Sequence, residues 1–395
     1  MDVLIIGSGA REHAIAYKLK QSKKVEDIYV APGNAGISQI ATCIDINAND
    51  DSELLKFAYE NQIDLTIVGP EDPLCAGIVD LFEAHDLKIY GPHRVAAELE
   101  GSKSFAKEFM IRNDIPTAKY LKTKDLTEAK KAYKDMLEGS IYKKAVIKAD
   151  GLCAGKGVLV GESIEQGYEF LEDVLNSNVF GDTHVVIEEY LEGIEASLLC
   201  FVDSGSIIPM PTAKDHKKIF EGERGPNTGG MGTFSPNHIA DAYMDEMMEK
   251  VAIPFHKGLE KENMSYRGII FFGIMLTSEG VKVLEFNTRF GDPETQSILM
   301  RLETDLLDIF TASLDDKLDT LDIRWSDKKA LTLVLASQGY PSKYEKGLKI
   351  TGLEDNLQGT VFHAGTKKLG QDIVTNGGRV PPFVTISCPS FLVPA

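Results

Sequence analysis

Cysteine is sparse and unpatterned in this chain of 395 residues: the five, Cys43, Cys75, Cys153, Cys200 and Cys388, never fall in C-x-x-C spacing. That excludes a disulfide framework and a cysteine-built zinc site, and a reducing, cytoplasmic location is expected. No apolar run approaches the ~20 residues of a membrane span. The opening MDVLIIGSG enters a strand-like run without a basic segment or cleavage site, so an unprocessed chain is expected. Basic residues are the minority, 42 against 60 acidic, for a net charge of −18. Broad binding to nucleic acid or an anionic membrane is thereby disfavoured, no such partner is expected, and any phosphate site must be local. Internal repeats, low-complexity tracts and nucleophile motifs are missing as well.

What remains is an ordinary globular composition, 43% hydrophobic and 26% charged. A chain of this length holds more than one core. The first hundred residues alternate strand-like runs (DVLIIG, DIYVAPG, LTIVGPE, LKIYGP) with helical stretches, the β-α-β pattern of a parallel, doubly wound α/β sheet. Ligands of such sheets sit beyond the carboxyl ends of the strands, so the turns GSGAREH, APGN and GPED should converge. GSGAREHA supplies Gly7 and Gly9 but puts Glu12 where a dinucleotide fingerprint wants its third glycine, and the second strand ends without an acidic ribose ligand. A nicotinamide dinucleotide is disfavoured. A smaller phosphorylated ligand and a bare structural turn both stay open.

Farther on, GSKSFAKEFMIRND reads as a helix, a βαββαβ-like stretch runs to VVIEEYLEG, and Thr212 to Pro236 forms a long polar, glycine-rich segment expected to lack regular structure. Within the βαββαβ stretch, VIKADGLCAGKGVLV is too short for a Walker loop and is followed by β-branched residues, so it predicts a hairpin. Its glycines Gly151, Gly155 and Gly157, with Lys148 and Lys156 near its ends, suit phosphate contact. In KVLEFNTRFGDPETQ, Glu285 and Asn287 alternate onto one face of a strand, an oxygen donor set that suits Mg²⁺. Arg289 would share that face if the strand continued, placing a guanidinium near a transferring phosphoryl group.

In their order and spacing, GSGAREHA, APGNAG, GPEDPL, GSKSFAK, IKADGLCAGKGV, EEYLEG, DHKKIFEGERGPNTGGMGTFSP and EFNTRFGDPETQ resemble the glycinamide ribonucleotide synthetase (phosphoribosylamine–glycine ligase) family of the ATP-grasp superfamily. The resemblance implies an ATP-grasp fold with an N-terminal Rossmann-like domain (1–101), a central domain (102–118 and 190–325), a mobile lid (119–189) and a small C-terminal domain (326–395). It implies that Lys103, Lys148 and the Gly151–Gly157 flap, with Lys156, hold ATP phosphates. The strand that includes Glu188 would meet the adenine edge through backbone around Glu189, Tyr190 and Leu191, and Glu195 would accept from the ribose. Glu285 and Asn287 match the family's Mg²⁺ or Mn²⁺ ligands. Asp215, Arg289, Asp292 and Glu294 are implied around glycine and its acyl phosphate. Gly9, Arg11, Pro32, Gly33, Asn34, Gly69, Pro70, Glu71 and Asp72, with Asn227 and Thr228, are implied around phosphoribosylamine. The expected partners are small molecules only, in a monomer. Another carboxylate–amine ligase or a carboxylase of the same superfamily is the alternative.

The chain departs from the family after TNGGRV. PPFVTISCPSFLVPA has four prolines and no charged side chain, so it predicts no closing helix and leaves an apolar face of the C-terminal domain partly exposed.

Overall fold

The structure, a computed structural model, describes residues 1–153, 157–176, 183–222, 224–353 and 359–387. Five short strands, Val3–Gly7, Ile28–Pro32, Thr42–Cys43, Leu65–Val68 and Ile89–Pro92, run parallel in the spatial order third, second, first, fourth, fifth. The expected N-terminal sheet is therefore present, but it does not end at its fifth strand. Ile89–Pro92 pairs antiparallel with the start of Tyr266–Thr277, setting Pro92 opposite Tyr266 and Gly91 opposite Arg267. Through that seam the parallel strands continue into Ile194–Val202, Ile207–Pro209 and Gly280–Asn287 as one nine-stranded sheet.

Why Tyr266–Thr277 can serve both halves is written in its composition. YRGIIFFGIMLT is apolar on both faces: Ile269 and Phe271 enter one core with Leu199, Phe201 and Phe310, while Ile270, Phe272 and Ile274 enter another with Phe109, Phe255 and Phe286. Such a strand must be covered on both sides.

Above this sheet lies a four-stranded antiparallel one, in the order Tyr120–Thr123, Val185–Glu189, Ala145–Ala149, Val158–Gly161. With helices Leu126–Gly139 and Ile164–Asn176 it forms the βαββαβ unit that the sequence predicts. Its core closes around Tyr133, which is fully buried. A side chain at Gly161 or Gly167 would come within 2.1 and 2.0 Å of that ring. The predicted hairpin is also present, with Ala145 opposite Gly161 and Lys148 opposite Val158.

The segment Thr212 to Pro236 corrects its expectation, because it holds four short strands. Lys218–Phe220 and Arg224–Asn227 form a hairpin of their own. Lys214–Asp215 pairs with Gly232–Ser235, which pairs in turn with Lys329–Ala336. Its glycines hide strand character, and the pairing of Gly232–Ser235 to Lys329–Ala336 depends on a partner about a hundred residues away. The C-terminal sheet thus starts inside the central region and runs on to Arg379–Ser387 and Thr360–Val361.

Pro381 and Pro382 lie in Arg379–Ser387 beside a register shift at Val334 and Ala336, and before the stretch paired to Thr360–Val361. Few ladder donors are lost there. On one face of Lys329–Ala336, Leu331, Leu333 and Leu335 are 41%, 55% and 50% exposed. Residues 388–395 of that tail lie outside the described residues. Among the described residues no helix is long and apolar enough to cross a membrane.

Candidate active site

The strand-end turns converge. Gly33 donates to the Gly7 carbonyl at 3.1 Å, Gly69 to Ile6 at 3.0 Å, and Asn34 Nδ2 to Ser8 at 2.9 Å. Glu12 fills the space between them. Its carboxylate accepts from Gly9 N–H at 2.5 Å and from Arg11 Nε at 2.6 Å, and a Cβ at Gly69 would lie 2.1 Å from it. An internal carboxylate thereby takes a helix-end donor that a dinucleotide's phosphate would use. Arg11 Nη1 donates to the Phe290 carbonyl at 3.1 Å, so Arg11 too is committed inside the protein. Pro32 and Gly33 end the second strand, with Gly33 at φ +72° against the Cys43 thiol. Pro70 precedes the helix Glu71–Ala76, whose Asp72 is exposed.

At the lid, Lys103 Nζ donates to the Gly151 carbonyl at 2.7 Å, tying the start of the helix Lys103–Arg112 to the start of the hairpin turn. Asp150 reinforces that tie by accepting from Ser102 Oγ and from Ser104 N and Oγ. Lys148 Nζ reaches across to the Leu284 carbonyl at 3.1 Å, which brings the lid strand against Gly280–Asn287. Gly155 and Lys156 lie outside the described residues. Gly151 sits at φ +100° with open space around it, and Gly157 backs onto Cys153.

The Glu188 side chain points into the protein. Lys107 lies 3.0 Å from its Oε2, and Lys148 lies 2.9 Å from its Oε1 in an ion pair without hydrogen-bond alignment. Burial, with Lys148 as a further cause, lowers the Lys107 pKa to about 8 although Glu188 opposes the shift. Glu189 accepts from Lys119 N–H at 3.0 Å. Tyr190 stacks edge-on against Tyr142, and Leu191 is buried with Ala118 and Met275 beside Leu284. Glu195 lies across from Met275 on the neighbouring strand.

Glu285 and Asn287 do share a face, since Phe286 between them is buried in the core beneath. The Glu285 side chain is 42% exposed, and Lys217 Nζ lies 3.6 Å from its Oε1. Burial would raise its pKa, but Lys217, Lys148, Lys103 and Arg289 together hold it below the usual glutamate value. An ionised carboxylate and an amide on one open face fit a hard divalent cation that takes its other ligands from phosphate and water.

Arg289 departs from its expectation. The strand stops at Asn287, and the guanidinium turns to Glu71 at 3.0 Å and to Glu100 at 2.8 Å. Glu71 is held near a pKa of about 2: burial opposes its charge, but Arg289 and Arg11 outweigh burial. Arg289 therefore brackets the N-terminal turns to the central sheet.

The remaining acidic residues gather beyond Lys217. Asp215 has a buried Oδ1 with no hydrogen-bond partner, and its pKa is raised to about 8 by burial first and by Glu294 second. Glu294, at the start of the helix Glu294–Arg301, accepts from Ser197 Oγ at 3.1 Å and is also raised, chiefly by burial. Asp292 accepts from Gln296 at 2.8 Å and faces Arg379 at 3.3 Å. Thr228 is used structurally, donating to the Lys217 carbonyl at 2.8 Å, while Asn227 is exposed opposite Lys218. Sequence reasoning missed Lys107, Glu100, Ser197 and Arg379. Only Arg379 carried a signal, as the last charged residue of the chain.

Three family models match in register: the phosphoribosylglycinamide synthetase N domain over residues 1–100, its ATP-grasp (A) domain over 101–295 and its C domain over 330–387. The chain belongs to the phosphoribosylglycinamide synthetase family. It is 49% identical to a phosphoribosylamine–glycine ligase of Caldanaerobacter subterraneus subsp. tengcongensis, over 98% of this chain and 92% of that one. A ligase of the same name from Halalkalibacterium halodurans is 50% identical, over 96% and 88%. The crystal structure of the Thermotoga maritima phosphoribosylamine–glycine ligase superposes with a TM-score of 0.82 at 31% identity, covering 98% of this chain and 93% of that one. The biotin carboxylase domain of Hydrogenobacter thermophilus 2-oxoglutarate carboxylase shares the fold alone, with a TM-score of 0.74 at 16% identity over 98% of this chain and 86% of that one. The family member described here is an ATP-grasp ligase of purine biosynthesis.

Proposed function

We infer that the protein ligates glycine to 5-phosphoribosylamine through glycyl phosphate, giving glycinamide ribonucleotide, ADP and phosphate. The observation that carries the reading is the polarity of the cleft: lysines Lys103 and Lys148 at the lid, and the buried carboxylates Asp215 and Glu294 at the other end. ATP and an amino acid bearing an ammonium group need opposite fields, and this cleft offers both.

In the first step a glycine carboxylate oxygen bonds to the γ-phosphorus, and the bond from that phosphorus to the bridging oxygen breaks, releasing ADP. In the second step the amine of phosphoribosylamine bonds to the acyl carbon and expels phosphate, with its surplus proton lost to solvent. Neither step needs an enzyme nucleophile. The protein's part is positioning and electrostatics. Lys103, Lys148 and the hairpin backbone hold the phosphates. The apolar group Ala118, Leu191, Met275 and Leu284 seats the adenine, with Glu195 toward the ribose. Asp215 and Glu294 hold the glycine ammonium, in preference to Asp292, whose carboxylate is shared by Gln296 and Arg379. Glu285 and Asn287 would hold Mg²⁺ or Mn²⁺, which lowers the charge that an incoming carboxylate must approach. The turns at Gly9–Arg11, Pro32–Asn34 and Gly69–Asp72 seat phosphoribosylamine. The lid is residues 119–189, between the N-terminal domain 1–101 and the central domain 102–118 and 190–325, and the C-terminal domain starts at 326. The enzyme acts as a cytoplasmic monomer.

ADP release measured with each substrate alone and with both tests the reading. Release should require glycine and phosphoribosylamine together. Equal release with bicarbonate in place of glycine would favour a carboxylase instead.

A further inference from the structure

The C-terminal region reaches the acidic end of the cleft at one residue. Gly229 N–H donates to the Tyr340 hydroxyl at 3.0 Å, and the Gly229 carbonyl accepts from Arg379 Nη1. The same guanidinium donates to the Asp292 carbonyl at 3.0 Å and faces the Asp292 carboxylate at 3.3 Å. Both backbone polar groups of one residue are thus held by side chains more than a hundred residues away. The two segments that carry these side chains are themselves tied together. Ser337 N donates to the Gly378 carbonyl at 2.7 Å, and a Cβ at Gly378 would lie 2.2 Å from the Tyr340 ring.

What the clamped residue leads into decides its role. Gly230 follows at φ +104°, and a Cβ there would lie 2.7 Å from Asp215 Oδ1 and 2.4 Å from Pro293. The Gly229–Gly230 backbone is therefore a wall against the Asp215 carboxylate, the group whose buried oxygen has no hydrogen-bond partner in the protein. Backbone packed too close for even a Cβ limits where the carboxylate can point, and a displacement of about 1 Å at such a site can cost ~10²-fold in rate.

We propose that Tyr340 and Arg379 are positioning residues that hold the Gly229 backbone, and with it Gly230, against Asp215 and so set the glycine subsite. This rests on the assignment of Asp215 and Glu294 to the glycine ammonium. The C-terminal region is then part of the substrate site as well as a cap on the fold. Lysine cannot replace Arg379 fully, because a point charge lacks the planar fork that reaches two carbonyls and a carboxylate.

Steady-state kinetics on the full chain test this with Arg379→Met, Arg379→Lys and Tyr340→Phe, beside Val384→Ala as a C-terminal core control remote from the clamp. Arg379→Met should raise KM for glycine by about tenfold or more and leave KM for ATP within about twofold. Arg379→Lys should recover part of that loss, and Tyr340→Phe should show a smaller rise of the same kind. Val384→Ala should lower Tm without moving KM for glycine. An unchanged glycine KM in both Arg379→Met and Tyr340→Phe would overturn the proposal, as would equal rises for glycine and ATP or a Val384→Ala response matching theirs. If Arg379→Met fails to fold, Tyr340→Phe decides alone. Asp215→Asn separates the premise from the clamp: an unmoved glycine KM there would remove both, whereas a raised one with silent clamp variants would remove the clamp only.

Discussion

At the lid end of the site one buried carboxylate, Glu188, stands between two lysines, Lys107 and Lys148, and Lys103, at the start of the helix Lys103–Arg112, donates to the hairpin turn. At the other end three carboxylates, Asp215, Glu294 and Asp292, outnumber Lys217 and Arg379; burial and Glu294 raise the proton affinity of Asp215, and burial and Asp292 raise that of Glu294. Both ends bury charge, but with opposite surplus. A surplus cation near Glu188 is stabilised when phosphate arrives, and a surplus carboxylate at Asp215 is stabilised when an ammonium arrives. Buried pairs of this kind are weak evidence for stability on their own, because desolvation offsets most of their attraction. Their asymmetry is better explained by the ligand that completes them.

Removing the cation at the lid end should have the largest effect. Lys148→Met is expected to lower kcat/KM for ATP by about 10²-fold, the range for losing one preorganised donor to a transferring group. Steady-state kinetics at saturating glycine would check it, and a loss confined to glycine would reverse the assignment of the two ends. At the acidic end Asp215→Asn is expected to cost about 2 kcal/mol, roughly 30-fold, in kcat/KM for glycine. KM for ATP should stay near its normal value, so a parallel rise in both would merge the two ends into one site.

The pH profile sharpens the same contrast. Burial and Glu294 raise the Asp215 pKa to about 8, so the ammonium-binding form gains population as pH rises through that value. On this basis kcat/KM for glycine should climb on the alkaline side of neutrality. Glu294→Gln removes a charge that raises the Asp215 pKa and should move the climb to lower pH; a profile moving upward would show that Glu294 acts otherwise. The smallest effect is expected at the flap. Gly151→Val forces a β-branched residue to φ +100° in open space, at a cost of about 1 kcal/mol, and should raise KM for ATP roughly fivefold. An unchanged KM would leave the turn a plain hairpin.

Much of the lid end was legible because its determinants are local. The hairpin follows from β-branched residues either side of a glycine cluster, and the shared face of Glu285 and Asn287 follows from the period of a strand with an apolar residue between them. The acidic end was legible only as a set of residue types. Asp215, Asp292 and Glu294 stood out as polar residues in glycine-rich surroundings, but nothing local distinguished a carboxylate paired with Arg379 from one left without a partner. Arg289 shows the limit most plainly. Extending its strand by two residues put it on the metal face, whereas the chain turns after Asn287 and the half-buried Glu71 and buried Glu100 hold the guanidinium.

By itself the sequence determined the alternating strands and helices of the N-terminal and lid regions, though not the strands between Thr212 and Pro236, and it determined that Tyr266–Thr277 must be covered on both faces and that the glycine cluster with flanking lysines forms a hairpin. These follow from periodicity and backbone preference, which act over a few residues. Tertiary structure alone decided that the N-terminal sheet joins the central one at Pro92 and Tyr266, that the segment after Thr212 supplies strands to the C-terminal sheet, and that Arg379 stands beside Asp292. Each of these is a pairing between residues more than eighty positions apart. Its free energy depends on desolvation and on the partner's geometry, and neither exists until the chain has folded.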